Sequence, residues 1–163
     1  MAKNKEEKTN VMRVLEQKKI AYTAHTYPHE EGMAVDGVTV AQSMGFDPTI
    51  VFKTLVARGA SKQYYVFDVP VAENLDLKKA AKAVGEKSIE MIHQKELLPL
   101  TGYVHGGCSP VGMKKLFPTV FHSSAENLAA MIVSAGKIGY QVELAPRDLA
   151  ALVRAKFADI IVE

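Results

Sequence analysis

The sequence predicts an α/β fold, a mixed and largely antiparallel sheet surrounded by helices. Two observations carry that expectation. Ile50 to Ala57, "IVFKTLVA", and Gln63 to Pro70, "QYYVFDVP", are strand-like apolar runs separated by the hairpin-length "GASK", so they pair as antiparallel neighbours. Leu75 to Val84, "LDLKKAAKAV", instead repeats at helical spacing: Leu77, Ala80, Ala81 and Val84 form an inner stripe, Asp76 caps it and Gly85 stops it. Helices and strands alternate along the chain without repeats or low-complexity segments, and 163 residues at 48% hydrophobic composition suit one well-cored domain. That domain is expected over 9–163, after a charged, non-periodic stretch at 1–8 that reads as a mobile tail.

Taken in order, Asn10 can cap a helix carrying Val11, Val14, Leu15 and Lys18, and Tyr22 to Tyr27 reads as a strand. Pro28 to Met33 is a loop, after which Asp36 or Thr39 caps a short helix ending at Gly45. Beyond the hairpin and the Leu75 helix, "SIEMI" is a short strand and "QKELLPL" a helix broken by Pro99. Gly102 to Gly112 holds four of the 11 glycines and reads as loop. "TVFHS" and "AMIVSA" follow as strands, "GKIG" as a turn, "YQVELA" as the returning strand, and Pro146 opens a last helix through Ala155.

Lys53 is out of place in this scheme. It interrupts a strand apolar on both faces, and an ammonium taken out of water costs several kcal/mol unless paired or neutralised. Either its head snorkels past the sheet edge or it lines a cavity that expects negative charge.

Composition narrows the function classes. A net charge of +2 gives no chain-wide attraction to polyanions, so any nucleic-acid contact must be local. The longest apolar run, Leu128 to Val133, is far short of the roughly 18 residues of a membrane span, and no signal core follows Met1, which predicts a cytoplasmic protein. The single cysteine, Cys108, cannot form an internal disulfide, and five histidines without ligand spacing argue against a metal site.

Several catalytic patterns fail. Ser109 lacks the glycine two residues on that a nucleophile elbow requires. Cys108 has His105 three residues away but no placed base or positive field, and an isolated cysteine ordinarily serves as a small buried hydrophobe. "AGKIG" lacks the hydroxyl residue and the spacing of a P-loop, so Lys137 sits in a tight turn unless that turn lies beside the Gly106 loop. Two readings stay open for "GYVHGGCSPVG": a backbone that approaches a ligand and offers it N–H groups, or an irregular loop whose glycines satisfy turn geometry. Lys78, Lys79, Lys82, Lys87, Lys114 and Lys115 are likewise either a solvated face or a local RNA footprint.

Four separated segments, "VFKTL", "LDLKKAAKAVG", "GYVHGGCSPVGMKK" and "VSAGKIGYQVELAPRDL", resemble in order the YbaK family of aminoacyl-tRNA deacylases, in particular its Cys-tRNA(Pro) deacylases, relatives of the editing domain inserted in bacterial prolyl-tRNA synthetases. The resemblance implies a YbaK-type mixed sheet with a pocket where the lysine strand, the glycine-serine-proline loop and the "SAGKIG" turn meet. It implies Lys53 as the catalytic lysine, and Tyr27, Phe52, Gly106, Gly107, Ser109, Pro110, Gly136 and Lys137 as substrate-binding residues. Asp36 and Gly37 stand where related sequences often have Phe-Gly, so the pocket's aromatic wall is either missing or supplied by Phe52 or Tyr27. The implied activity is hydrolytic trans-editing of Cys-tRNA(Pro), extending to Cys-tRNA(Cys), in which the substrate's own thiol attacks its ester and leaves as a cyclic thioester. No cofactor or metal is implied; the implied partners are the tRNA(Pro) acceptor end and prolyl-tRNA synthetase. Deacylation of another small amino acid such as alanine, or binding of aminoacyl-tRNA or synthetase without hydrolysis, are the alternatives.

Overall fold

The computed structural model describes residues 8–29, 33 and 35–163. Apart from Lys8, the tail expected at 1–8 lies outside the described residues. Two sheets form where the sequence suggests one: an antiparallel three-stranded sheet and a mixed five-stranded sheet.

The smaller sheet contains β1 (Thr23–Thr26), β7 (Tyr140–Leu144) and β6 (Met131–Ser134) in that spatial order. Its β6–β7 pair is the second hairpin, with Ser134 opposite Gln141. The larger sheet runs β4 (Ile89–Met91), β2 (Phe52–Gly59), β3 (Tyr64–Pro70), β5 (Thr119–His122) and β8 (Lys156–Ala158). The β2–β3 hairpin is antiparallel as expected, pairing Lys53 with Val69 and Thr54 with Asp68. Strand β8 had no counterpart in the sequence reading, because three residues with one exposed lysine give too short a pattern; it is held by parallel pairing to β5.

Helix α1 (Asn10–Gln17) is capped by Thr9, whose hydroxyl accepts from the Met12 amide, so Asn10 is the first helical residue rather than the cap. Asp36, not Thr39, caps α2 (Gly37–Ser43). Asp76 and the left-handed Gly85 bound α3 (Leu77–Val84) as expected, but Leu77 is exposed, and Leu75 packs inward in its place beside Ala80 and Ala81. Pro99 lies within α4 (Gln94–Thr101), which continues two residues past it, and the Thr101 hydroxyl donates to the Leu97 carbonyl at 2.8 Å. Helix α5 (Pro146–Val153) stops two residues early, at Arg154 in a left-handed conformation.

The core is distributed to match the two sheets. Val11, Leu15, Met131, Val142 and Leu149 pack α1 and α5 against the small sheet, and Ala80, Ala81, Phe67 and Ile160 pack α3 against the large one. Fully burying side chains of this kind contributes about 1.5–3 kcal/mol each. Between the layers, an isolated bridge from Val51 to Ile132, both wholly buried, sews the start of β2 to β6. Ala41 and Val71 close over that seam and bring α2 with them. β2 therefore leaves one sheet at the point where it touches the other, and Lys53 lies two residues beyond the stitch.

Candidate active site

A cavity of about 410 Å3 opens beside that seam. β2 contributes Phe52, Lys53, Thr54 and Leu55; the smaller sheet contributes Ser134 and Gln141; Tyr27 comes from the end of β1, and His105, Gly106 and Cys108 from the glycine loop. Asp36, Gly37 and Val40 close it from α2. Lys53 thus lines a cavity rather than snorkelling past an edge. Burial lowers the affinity of its ammonium for the proton, while the Asp36 and Glu73 carboxylates act in the opposite sense. Among the described residues it has no hydrogen-bond or salt-bridge partner, which leaves it directed at whatever enters.

Tyr27 and Phe52 are both at least nine-tenths buried and form the aromatic wall that the Asp36-Gly37 pair does not supply. The Tyr27 amide donates to the Gly139 carbonyl at 3.0 Å, which ties this wall to the turn after β6. Burial raises the Tyr27 phenol above its ordinary range, keeping it a neutral donor.

Three polar groups absent from the sequence reading complete the walls. Gln141 is 8% exposed, and its side-chain carbonyl has no hydrogen-bond partner, an open acceptor beside Ser134. The Ser134 hydroxyl accepts from the Gly136 amide at 3.1 Å. Thr54 donates to Asp68 at 2.5 Å across the β2–β3 pair, and Asp68 is wholly buried, its acid pushed up to about 7 by burial although the Thr54 hydrogen bond opposes the shift. The signal that could have found them is the pairing register: once Lys53 is placed, Thr54 and Asp68 follow across the hairpin. Asp68 in "VFDV" is a lone acid in an apolar strand, as anomalous as Lys53.

The glycine loop divides. Gly106, in a left-handed conformation that favours glycine, reaches the cavity, but Gly107 does not. The Gly107 amide donates to the Val104 carbonyl, and a Cβ there would stand 3.0 Å from the Ile138 nitrogen, so Gly107 is needed for close packing against the 136–139 turn. Ser109 is wholly buried outside the cavity, its hydroxyl accepting from the Val111 amide at 3.2 Å. Pro110 borders a separate 130 Å3 cavity beside α5. Gly136 and Lys137 border a third, of about 340 Å3, with His29, Tyr103 and Tyr140; the Lys137 ammonium lies 5.4 Å from the Tyr140 ring centre. The turn does lie beside the glycine loop, but Gly136 and Lys137 line a cavity other than that of Lys53.

The cysteine on the cavity wall is not an activated nucleophile. The Cys108 thiol is pushed up to about 12, by burial first and then by the Asp68 charge, and it stays protonated at neutral pH. Among the described residues, no group of three His, Cys, Asp or Glu gathers as metal ligands, and no helix is long and apolar enough to cross a membrane. The lysines split by role. Lys79 ties α3 to the C-terminal segment through Asp159, Glu163 and the Ile161 carbonyl; Lys78, Lys82 and Lys87 face solvent. Lys114 donates to the Pro99 carbonyl, and Lys115 lies over Phe117.

Residues 29–152 match the aminoacyl-tRNA editing domain. The chain belongs to that family. It is 46% identical over 161 residues, covering 98% of both chains, to an Enterococcus faecalis protein that carries the provisional name Cys-tRNA(Pro)/Cys-tRNA(Cys) deacylase EbsC. Among solved structures, one provisionally titled a trans-editing enzyme for prolyl tRNA synthetase is 25% identical with a TM-score of 0.79, covering 94% of this chain and 95% of the other. A hypothetical protein at 19% identity, TM-score 0.82, covers 93% of this chain and 99% of its own, and shares the fold. The editing domain's match begins just after Tyr27 and takes in Lys53, the glycine loop, Ser134 and Gln141, so nearly the whole cavity wall falls within it.

Proposed function

We propose that this chain is a trans-editing deacylase that removes cysteine from mischarged tRNA(Pro), and from tRNA(Cys), in the cytoplasm. The observation that carries the reading is a cavity that holds the Lys53 ammonium, an open acceptor on Gln141 and a cysteine that stays protonated. Such a site favours a substrate that brings its own nucleophile. Cysteine and proline are close in size, so a synthetase pocket built for one rejects the other poorly, and a second hydrolytic site is the general remedy.

In this reading the Lys53 ammonium draws the ester carbonyl and the charged 3′ end of tRNA, then stabilises the oxyanion that develops on attack. Gln141 accepts from the α-ammonium of the amino acid, and Tyr27 and Phe52 pack its side chain. The cysteine sulfur attacks its own carbonyl carbon, the bond to the ribose oxygen breaks, and the cyclic thioester is hydrolysed after release. Holding sulfur and carbonyl in attack geometry is the domain's main contribution, where effective molarity is worth about 7–11 kcal/mol. Gly106 supplies close backbone approach, while Gly107, Ser109, Pro110 and Gly136 shape the loop and turn behind it. Lys137 meets phosphate farther along the acceptor end. Prolyl-tRNA synthetase supplies part of the tRNA selectivity, because a net charge of +2 gives the domain little of its own.

The test is multiple-turnover release of labelled cysteine from Cys-tRNA(Pro), with Ala-tRNA(Pro) and Ser-tRNA(Pro) in parallel. Selective loss of cysteine is expected. Equal hydrolysis of alanine would assign the cavity a water mechanism, and binding without turnover would make the domain a carrier. Co-sedimentation with the synthetase, with and without tRNA, tests the partnership.

A further inference from the structure

Asp68 has no role in the chemistry above, yet its setting is anomalous. It is wholly buried on a strand where the residues on either side, Phe67 and Val69, are also wholly buried and apolar, and one of its oxygens has no hydrogen-bond partner. A carboxyl in such a site is costly in either protonation state unless the surroundings use it. The other oxygen lies 2.5 Å from the Thr54 hydroxyl, and Thr54 borders the cavity next to Lys53. Asp68 is thereby separated from the cavity by one hydroxyl.

We propose that Asp68 is a positioning residue that acts through Thr54, orienting its hydroxyl and taking its proton as that hydroxyl accepts the proton of the substrate thiol. This rests on the thiol-assisted reading of the site. The step balances. The S–H proton passes to the Thr54 oxygen, the Thr54 proton passes to Asp68, and the sulfur forms its bond to the ester carbonyl carbon. As the carbon–oxygen bond to ribose breaks, the proton returns by the same path to the departing oxygen, leaving Asp68 ionised again.

The chemistry of the pair suits the task. An acid pushed up to about 7 is able near neutral pH both to accept and to return a proton, which suits general acid–base exchange. The Cys108 thiol feels the Asp68 charge and stays protonated, and Tyr103 beyond it is pushed up to about 12; Lys53, Asp36 and His105 line the cavity that Thr54 borders. On β5, the residue opposite Asp68 is the apolar Phe121.

Single-turnover deacylation of Cys-tRNA(Pro) between pH 5.5 and 8.5 tests the relay in the wild type, Asp68→Asn, Thr54→Val and Thr54→Ser. The wild-type rate should rise through about pH 7 and level off. Asp68→Asn and Thr54→Val should lose that limb and fall about 100-fold in rate with little change in KM, while Thr54→Ser restores both. An Asp68→Asn protein with the wild-type rate and limb overturns the relay alone; wild-type protein that releases no cysteine overturns the functional reading and the relay together. Infrared spectra of the resting protein give a readout independent of turnover. A protonated-carboxyl band that titrates near neutrality and vanishes in Asp68→Asn is expected, and its absence from the wild type at every pH from 5 to 7 overturns the proposal.

Discussion

The β2–β3 hairpin and the glycine loop face the same cavity, but they are built to different ends. The hairpin inserts Lys53, Thr54 and Asp68 into strands otherwise made for burial, so each polar group is held by a ladder of backbone hydrogen bonds and has few places to turn. The loop, with far more unusual local chemistry, directs most of it away: Gly107 packs on the 136–139 turn and Ser109 closes its own turn, while Gly106, His105 and Cys108 reach the cavity. On the proposed reading, rigid strands carry the reactive groups, and the loop supplies shape. A carboxyl or ammonium whose affinity for protons is tuned by burial needs an environment that cannot relax around it, which a sheet provides and a glycine-rich loop does not.

This contrast can be broken most sharply at Lys53. Lys53→Ala should lower kcat/KM for Cys-tRNA(Pro) by at least about 100-fold, the usual cost of losing one oxyanion-stabilising donor. Its thermal midpoint should stay level or rise slightly, since burial already disfavours the ammonium. A folded, fully active variant would remove Lys53 from the mechanism.

Asp68 gives the next largest effect, on stability. Its acid is raised in the folded protein above the unfolded value, so the neutral form stabilises the fold; that stability is full below about pH 4 and is lost as pH rises through about 7. Asp68→Asn should therefore gain on the wild type between pH 5 and 8, by up to about 4 kcal/mol from a shift of roughly three units. Urea unfolding at both ends of that range measures it, and parallel curves would show that Asp68 is not titrating there.

On the loop side the effects should be smaller and of another kind. Gly107→Val forces side-chain atoms against the Ile138 nitrogen and should cost about 1–3 kcal/mol while lowering turnover through a displaced Gly106. Ser109→Ala loses one buried hydrogen bond, about 1 kcal/mol, and should leave deacylation at 25 °C close to wild type. A large catalytic loss from Ser109→Ala at full stability would return the loop hydroxyl to the chemistry and erase the distinction between the two walls.

Much of this was legible in the residues. Among the described residues, periodicity, caps and turn glycines located all five α-helices and all strands but β8, and Lys53 declared itself as a charge in an apolar strand, because burial preferences act locally and leave their mark in sequence. The four separated segments were enough to suggest the family. Harder to see were the division into two sheets and the places of Asp68, Gln141, Ser134, Ser109 and Pro110. Leu77 and Leu75 exchanged places for a related reason: at the first turn of a helix the period admits either, and packing against β3 and the C-terminal segment selects one.

What the sequence determined by itself, then, is the set of elements, the anomalous lysine and the kind of chemistry its neighbours could support. Tertiary structure alone decided which side of the glycine loop meets that lysine, and that a threonine and a buried acid stand behind it. The physical reason is that a side chain's own pattern reports whether it is buried, whereas its partners come from segments as distant as β1 and β7, brought together by the Val51–Ile132 stitch between the sheets.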